Sequence, residues 1–124
     1  VCHGVIQTSS DADLSKRLES IYKEFEKILN IYKPAEAGIE SIFFARNVLS
    51  AIPVAHAKGV IHLLCAQKNI SAAEYTPLQI KQSIVGSGRA EKKQVQSLVK
   101  LLMKLEKIPE PDHASDALAA AICH

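Results

Sequence analysis

Glu40 closes a short apolar run, Ala37-Gly38-Ile39, and two aromatics follow it in Ser41-Ile42-Phe43-Phe44-Ala45-Arg46-Asn47. A carboxylate at a strand end can hold a metal ion. Far along the chain, His113 and Asp116 stand three residues apart, which puts both on one helix face. They fall near the start of an Ala-rich helical stretch, where the helix dipole favours a carboxylate. Two carboxylates with one imidazole suit Mg²⁺ or Mn²⁺. Two such ions can activate water and stabilise the leaving oxygen in phosphodiester hydrolysis. Phe43 and Phe44 can fill a core, or one of them can wedge between stacked bases. Plainer roles stay open for all of these: Asp112 or Asp116 as a helix cap, His113 as an aid to it, and Glu40 as a solvated strand end.

The elements that must position these residues follow from periodicity. Val1 to Thr8 alternates weakly and reads as a strand. Leu14, Leu18, Ile21, Tyr22, Phe25, Ile28, Leu29 and Tyr32 recur at helical spacing, and Pro34 ends that helix. Thr8-Ser9-Ser10-Asp11 supplies turn and cap chemistry before it. Ala35 to Glu40 is a short strand. Ala45 to Lys68 reads as a second helix, apolar on several faces and therefore buried against a sheet or a partner subunit. Pro53 within it marks a kink or a late start. Asn69 to Tyr75 is a third strand, and Thr76-Pro77 opens a short helix as N-cap and first residue. Gly86-Ser87-Gly88 breaks that helix; it matches no Walker or dinucleotide loop and can present backbone N–H groups to a phosphate. A helix over Ala90–Leu105 and a last one from Asp112 or His113 through Cys123 complete the chain. Strands separated by helices predict an α/β fold in a single domain.

Composition excludes several classes. At 48% hydrophobic and 23% charged residues, the 124-residue chain is an ordinary globular domain. No apolar run is expected to approach a membrane span, and no signal peptide is expected from the residues at Val1-Cys2-His3-Gly4. Cys2, Cys65 and Cys123 are odd in number and far apart, with no zinc spacing, which predicts reduced thiols in a cytosolic protein. No serine or cysteine stands in a nucleophilic-triad context. Charge is unevenly spread. Residues 81–107 carry Lys81, Arg89, Lys92, Lys93, Lys100, Lys104 and Lys107 against only Glu91 and Glu106, a local charge of +5. Such a segment can track a phosphate backbone or simply be a solvated helix face.

Taken together, the segments resemble the RuvC family of Holliday-junction resolvases, which have an RNase H-like fold. The resemblance is carried by Gly38-Ile39-Glu40-Ser41-Ile42-Phe43-Phe44-Ala45-Arg46-Asn47, Ala57-Lys58-Gly59-Val60 and Glu74-Tyr75-Thr76-Pro77-Leu78-Gln79-Ile80-Lys81-Gln82. Val85-Gly86-Ser87-Gly88-Arg89-Ala90-Glu91-Lys92-Lys93-Gln94-Val95-Gln96 and His113-Ala114-Ser115-Asp116-Ala117-Leu118-Ala119 complete it. These motifs occur in family order and cover nearly the whole chain.

The resemblance implies a mixed sheet flanked by helices and a structure-selective endonuclease acting on four-way junctions in recombination and repair. It implies metal ligation by Glu40, His113 and Asp116, with His113 where other members have Asp or His. Lys81 and Lys92 would lie near the scissile phosphate, and Phe43 would stack into the junction. Phe44, Arg46, Asn47, Arg89 and Lys93 would join the DNA contacts. Two Mg²⁺ or Mn²⁺ ions, a homodimer built on the second helix, junction-binding branch-migration proteins as partners and a bacterial cytoplasmic setting are implied as well.

Two departures stand out. The family opens with a Gly-Ile-Asp-Pro-Gly strand whose Asp is the first metal ligand, and no Asp-Pro occurs in this chain. Val1 to Thr8 matches the family's third strand. A chain without the first two strands is expected to be inactive or nearly so, with open strand edges near Ile39 and Val5 that invite a swapped or rearranged sheet. Pro53 stands where the family usually has another residue. A non-catalytic module binding branched DNA or protein, or another RNase H-like nuclease, are the competing readings.

Overall fold

The computed structural model describes residues 1–41 and 48–124. Seven elements follow in order: α1 (Leu14–Tyr32), β1 (Glu36–Glu40), α2 (Val48–Gln67), β2 (Ser71–Tyr75), α3 (Pro77–Val85), α4 (Lys92–Leu102) and α5 (Asp112–Cys123). The described residues divide into two compact units, one of residues 1–5, 38–41 and 73–124, the other of residues 6–37 and 48–72.

β1 and β2 form a two-stranded sheet. The Ser71 N–H donates to the Ala35 carbonyl at 3.3 Å, and the Ser41 N–H donates to the Tyr75 carbonyl at 2.8 Å. Both bonds advance in the same direction along the two strands, so the pair is parallel, and a parallel pair needs a long crossover. α2 supplies it.

The expected strand over Val1–Thr8 is not formed. A strand exists only as the hydrogen-bonded neighbour of another strand. The weak alternation here gives little burial to compensate, since Val1 is 76% and Val5 43% exposed. The sheet among the described residues therefore has two strands rather than three.

In the second unit α1 packs along α2. Leu29, Leu64, Cys65 and Ile70 are buried between them, with Tyr22, Phe25, Ala37, Val60, Ile61 and Ala72 around the edge. The Tyr22 hydroxyl donates to Gln67 Oε1 at 3.0 Å, and the Lys68 ammonium reaches Asn30 at 2.9 Å and Glu26 at 3.3 Å. These contacts fix the register of the pair. α1 ends on Lys33 in the left-handed conformation, directly before Pro34.

α2 differs from expectation in two ways. The helix begins before Pro53 and runs through it, so Pro53 does not mark a late start. Its apolar surface is not buried all round: Leu49 is 79%, Val54 55% and Leu63 53% exposed. A helix packed on one neighbour can hide only one stripe. By length and composition Leu49–Gln67 is also long and apolar enough to cross a membrane, contrary to the expectation that no run would be.

In the first unit α3, α4 and α5 pack against one another. Ile80, Ala90, Val95, Val99, Leu118, Ala119 and Ala120 form the core. The alanines matter because small side chains let α5 approach closely. α3 begins as the sequence predicts. The Gln79 N–H donates to Thr76 Oγ1 at 3.2 Å, the Thr76 N–H donates to Gln79 Oε1 at 2.8 Å, and Pro77 takes the first helical position. It ends on Gly86 at φ 78°. α4 is shorter than the expected Ala90–Leu105, because the chain leaves the helix through a Schellman turn. The Lys104 N–H donates to the Leu101 carbonyl at 3.1 Å, and the Leu105 N–H donates to the Lys100 carbonyl at 2.9 Å.

Candidate metal and nucleic-acid site

Five of the residues singled out in the sequence come from four elements of the first unit. Glu40 ends β1, Lys81 lies in α3, Lys92 opens α4, and His113 and Asp116 occupy the first turns of α5. α5 orients itself by burying Ala114, Ser115, Leu118, Ala119 and Ala120. That burial leaves Asp112, His113 and Asp116 toward solvent, as their spacing requires.

Glu40 is exposed in surface area, yet protein atoms crowd its carboxyl closely enough to strip part of its water. That loss of water raises its pKa above the ordinary carboxyl value, and the nearby Asp116 carboxylate raises it further. Lys92, His113 in its charged form and Lys81 act in the opposite direction. The other four groups thus all act on Glu40 through space.

His113 Nδ1 lies 4.0 Å from Asp116 Oδ2, the one-face relation that their spacing predicts. The Lys92 ammonium lies 3.0 Å from Asp112 Oδ2 and 3.7 Å from Asp116 Oδ2. Gln96 Nε2 donates to the other Asp112 oxygen at 3.1 Å. The bond from Lys92 and then that from Gln96 hold the Asp112 carboxyl below its ordinary range, and Asp112 in turn holds the Lys92 ammonium above its own.

The charge pattern fits a divalent cation: two carboxylates that repel one another would be relieved by positive charge between them, and oxygen donors with an imidazole suit a hard or borderline ion. Among the described residues, no three His, Cys, Asp or Glu side chains close around a single point. Of the three expected ligands, Glu40 and Asp116 act on one another through space, and the His113 side chain is 85% exposed.

Arg89 and Lys93 are exposed on the stretch from Gly86 into α4. There the Arg89 N–H donates to Ser87 Oγ at 3.3 Å. Phe43, Phe44, Arg46 and Asn47 lie outside the described residues.

Two neighbours of the predicted site residues carry no signal of their own in the sequence. Asp112 reads there as a cap, and Gln96 enters as one member of a motif, although Lys92 and Gln96 are four apart on α4 and so share a face. Tyr75 and His124 were not singled out either. The Tyr75 hydroxyl and His124 Nδ1 are 3.0 Å apart, with the rings edge to face at 5.8 Å. No motif signals that pair.

The family model described as Crossover junction endodeoxyribonuclease RuvC matches residues 1–124. A protein of that name from Pseudothermotoga lettingae is 45% identical over 124 residues, covering 100% of this chain and 76% of its own length. Its counterpart from Petrotoga mobilis is 51% identical over 122 residues, covering 98% of this chain and 75% of its own length. Among solved structures, Thermus thermophilus RuvC aligns with a TM-score of 0.92 at 29% identity. The same protein in complex with Holliday junction substrate aligns with a TM-score of 0.95 at 29% identity. Both alignments cover 100% of this chain and 75% of the other.

Proposed function

The chain belongs to the RuvC family of crossover junction endodeoxyribonucleases, with an RNase H-like α/β fold, and from that premise we propose which of its residues bind and cleave the junction. The family activity is divalent-metal-dependent hydrolysis of phosphodiester bonds in Holliday junctions, in recombination and repair. Residues 1–124 belong to a single RNase H-like nuclease domain.

The observation that carries the assignment of residues is the convergence on Glu40. Its carboxyl responds to Asp116, Lys92, His113 and Lys81, drawn from three helices around the end of β1. Glu40, Asp116 and His113 would hold the divalent metal, Mg²⁺ or Mn²⁺ with two ions expected. When bound, the metal supplies activation of water and stabilisation of the leaving oxygen. The protein's own part is placement and charge. Lys92 and Lys81 bring ammonium groups toward the scissile phosphate and stabilise the negative charge that builds there. Arg89 and Lys93 add sequence-independent attraction to phosphates. Phe43 supplies stacking at the junction, and Phe44, Arg46 and Asn47 further DNA contacts beside it.

The open apolar face of α2 serves a homodimer, so that two sites meet two opposed strands. Junction-binding branch-migration proteins are its working partners, in a bacterial cytoplasm. The test is nicking of a labelled four-way junction by the full-length protein and its Glu40→Gln variant, with linear duplex and RNA–DNA hybrid as controls. Junction nicking that survives Glu40→Gln unchanged would overturn the assignment.

A further inference from the structure

Lys92 and Gln96 are one helical turn apart on α4, and both reach the same carboxylate. The Lys92 ammonium takes one oxygen of Asp112 at 3.0 Å, and the Gln96 amide donates to the other at 3.1 Å. Each oxygen is committed to a different donor, so the carboxylate cannot rotate without breaking a bond. Gln96 is only 9% exposed, and an amide so enclosed is costly to leave without a partner. It anchors Asp112 from the protein side, while Asp112 anchors Lys92 from the solvent side.

We propose that Asp112, backed by Gln96, is a positioning residue that takes the shorter of the two ion pairs of Lys92, at 3.0 Å, and keeps the one with Asp116 long, at 3.7 Å. The idea rests on the reading of Lys92 as a lysine acting at the scissile phosphate. A lysine side chain is long and flexible, and this one is half exposed, at 51%. With Asp112 gone, Lys92 keeps its longer ion pair with Asp116, at 3.7 Å, and nothing on α5 holds that pair from closing. An ammonium that settles on Asp116 competes with any cation for the same oxygens and leaves the place where phosphate charge develops. Asp112 removes both faults by giving Lys92 a nearer partner one turn earlier on α5.

The experiment is a double-mutant cycle in the full-length protein, with single-turnover cleavage and equilibrium binding of a labelled four-way junction. Asp112→Asn keeps shape and can still meet Gln96 but loses the ion pair. It is expected to slow cleavage about tenfold, with the junction dissociation constant unchanged and partial recovery in Asp112→Glu. Added to Lys92→Gln, it should cost nothing further. A wild-type rate in Asp112→Asn, or the same loss in the Lys92→Gln background, overturns the proposal. Should Lys92→Gln itself cleave at the wild-type rate, the role given to Lys92 fails instead. The tether is then decided by the NMR signal of the Lys92 ammonium. Order that disappears in Asp112→Asn supports the tether, and an unchanged signal rejects it.

Discussion

Gly38 and His124 occupy space that only one of them can fill. A Cβ at position 38 would lie 2.9 Å from His124 Cβ and 3.0 Å from the Ala120 carbonyl oxygen. The absence of a side chain on β1, two residues before Glu40, is what lets the end of α5 come this close. The Tyr75–His124 contact holds the same end of α5, while the Tyr75 carbonyl accepts from the Ser41 N–H beside Glu40. Gly38→Ala is therefore expected to destabilise the chain by about 1–3 kcal/mol through overpacking, read as a lower urea midpoint. Because Asp116 rides on α5, the variant should also cleave junctions more slowly at temperatures where it remains folded.

Helix ends give a second expectation. Lys104 adopts φ 52° at the position of the Schellman turn where glycine is usual. A lysine there carries the Cβ strain of the left-handed region, and glycine does not. Lys104→Gly should raise stability by about 0.5–1 kcal/mol after the entropy it adds to the unfolded chain. Gly86→Ala, at φ 78° and with open space around its Cβ position, should lower stability by a similar amount. Thermal melts of both variants check the opposed signs; shifts in the same direction would contradict the account.

The exposed face of α2 predicts an assembly. Leu49 and Leu63 present large side chains to solvent, and a second copy is the partner assigned to that face. Leu63→Glu should convert a dimer to a monomer in light scattering while leaving the far-ultraviolet circular dichroism unchanged. A wild-type protein that is monomeric across the micromolar range would remove the dimer from the reading.

Much of this was legible in the sequence because it is local. The 3.6-residue period of Leu14 to Tyr32 fixes α1, Thr76-Pro77-Leu78-Gln79 writes out its own cap, and His113 to Asp116 spacing sets a shared face. What failed depends on partners distant in the chain. Val1–Thr8 has an alternation too weak to make a strand without a neighbour to pair with. The apolar stretch of α2 shows that something must cover it, but not which side α1 takes. The Asp112–Lys92–Gln96 set needs α4 and α5 brought together, and no spacing within one helix reveals that. The ordered motifs were what joined Glu40 to Asp116, since 75 intervening residues carry no periodic signal between them.

Glu40 makes the metal-free site pH-sensitive with a definite sign. Its folded pKa lies above the ordinary carboxyl value of 4.5, raised first by loss of water and then by Asp116. Above that ordinary value the folded chain holds the Glu40 proton more tightly than the unfolded chain does. Its contribution to stability is thus present in full below pH 4.5 and is lost as pH rises through the folded value. Glu40→Gln keeps the shape and abolishes the charge. In chelator, the variant should gain stability over wild type as pH rises from 4 toward neutrality, as about the midpoint shift in parallel urea titrations shows. Divalent cation should close or reverse that gap by stabilising wild type alone, since only the ionised carboxylate binds it. A gap that instead widens toward acid would mean that Glu40 is not the crowded, Asp116-facing carboxyl described here.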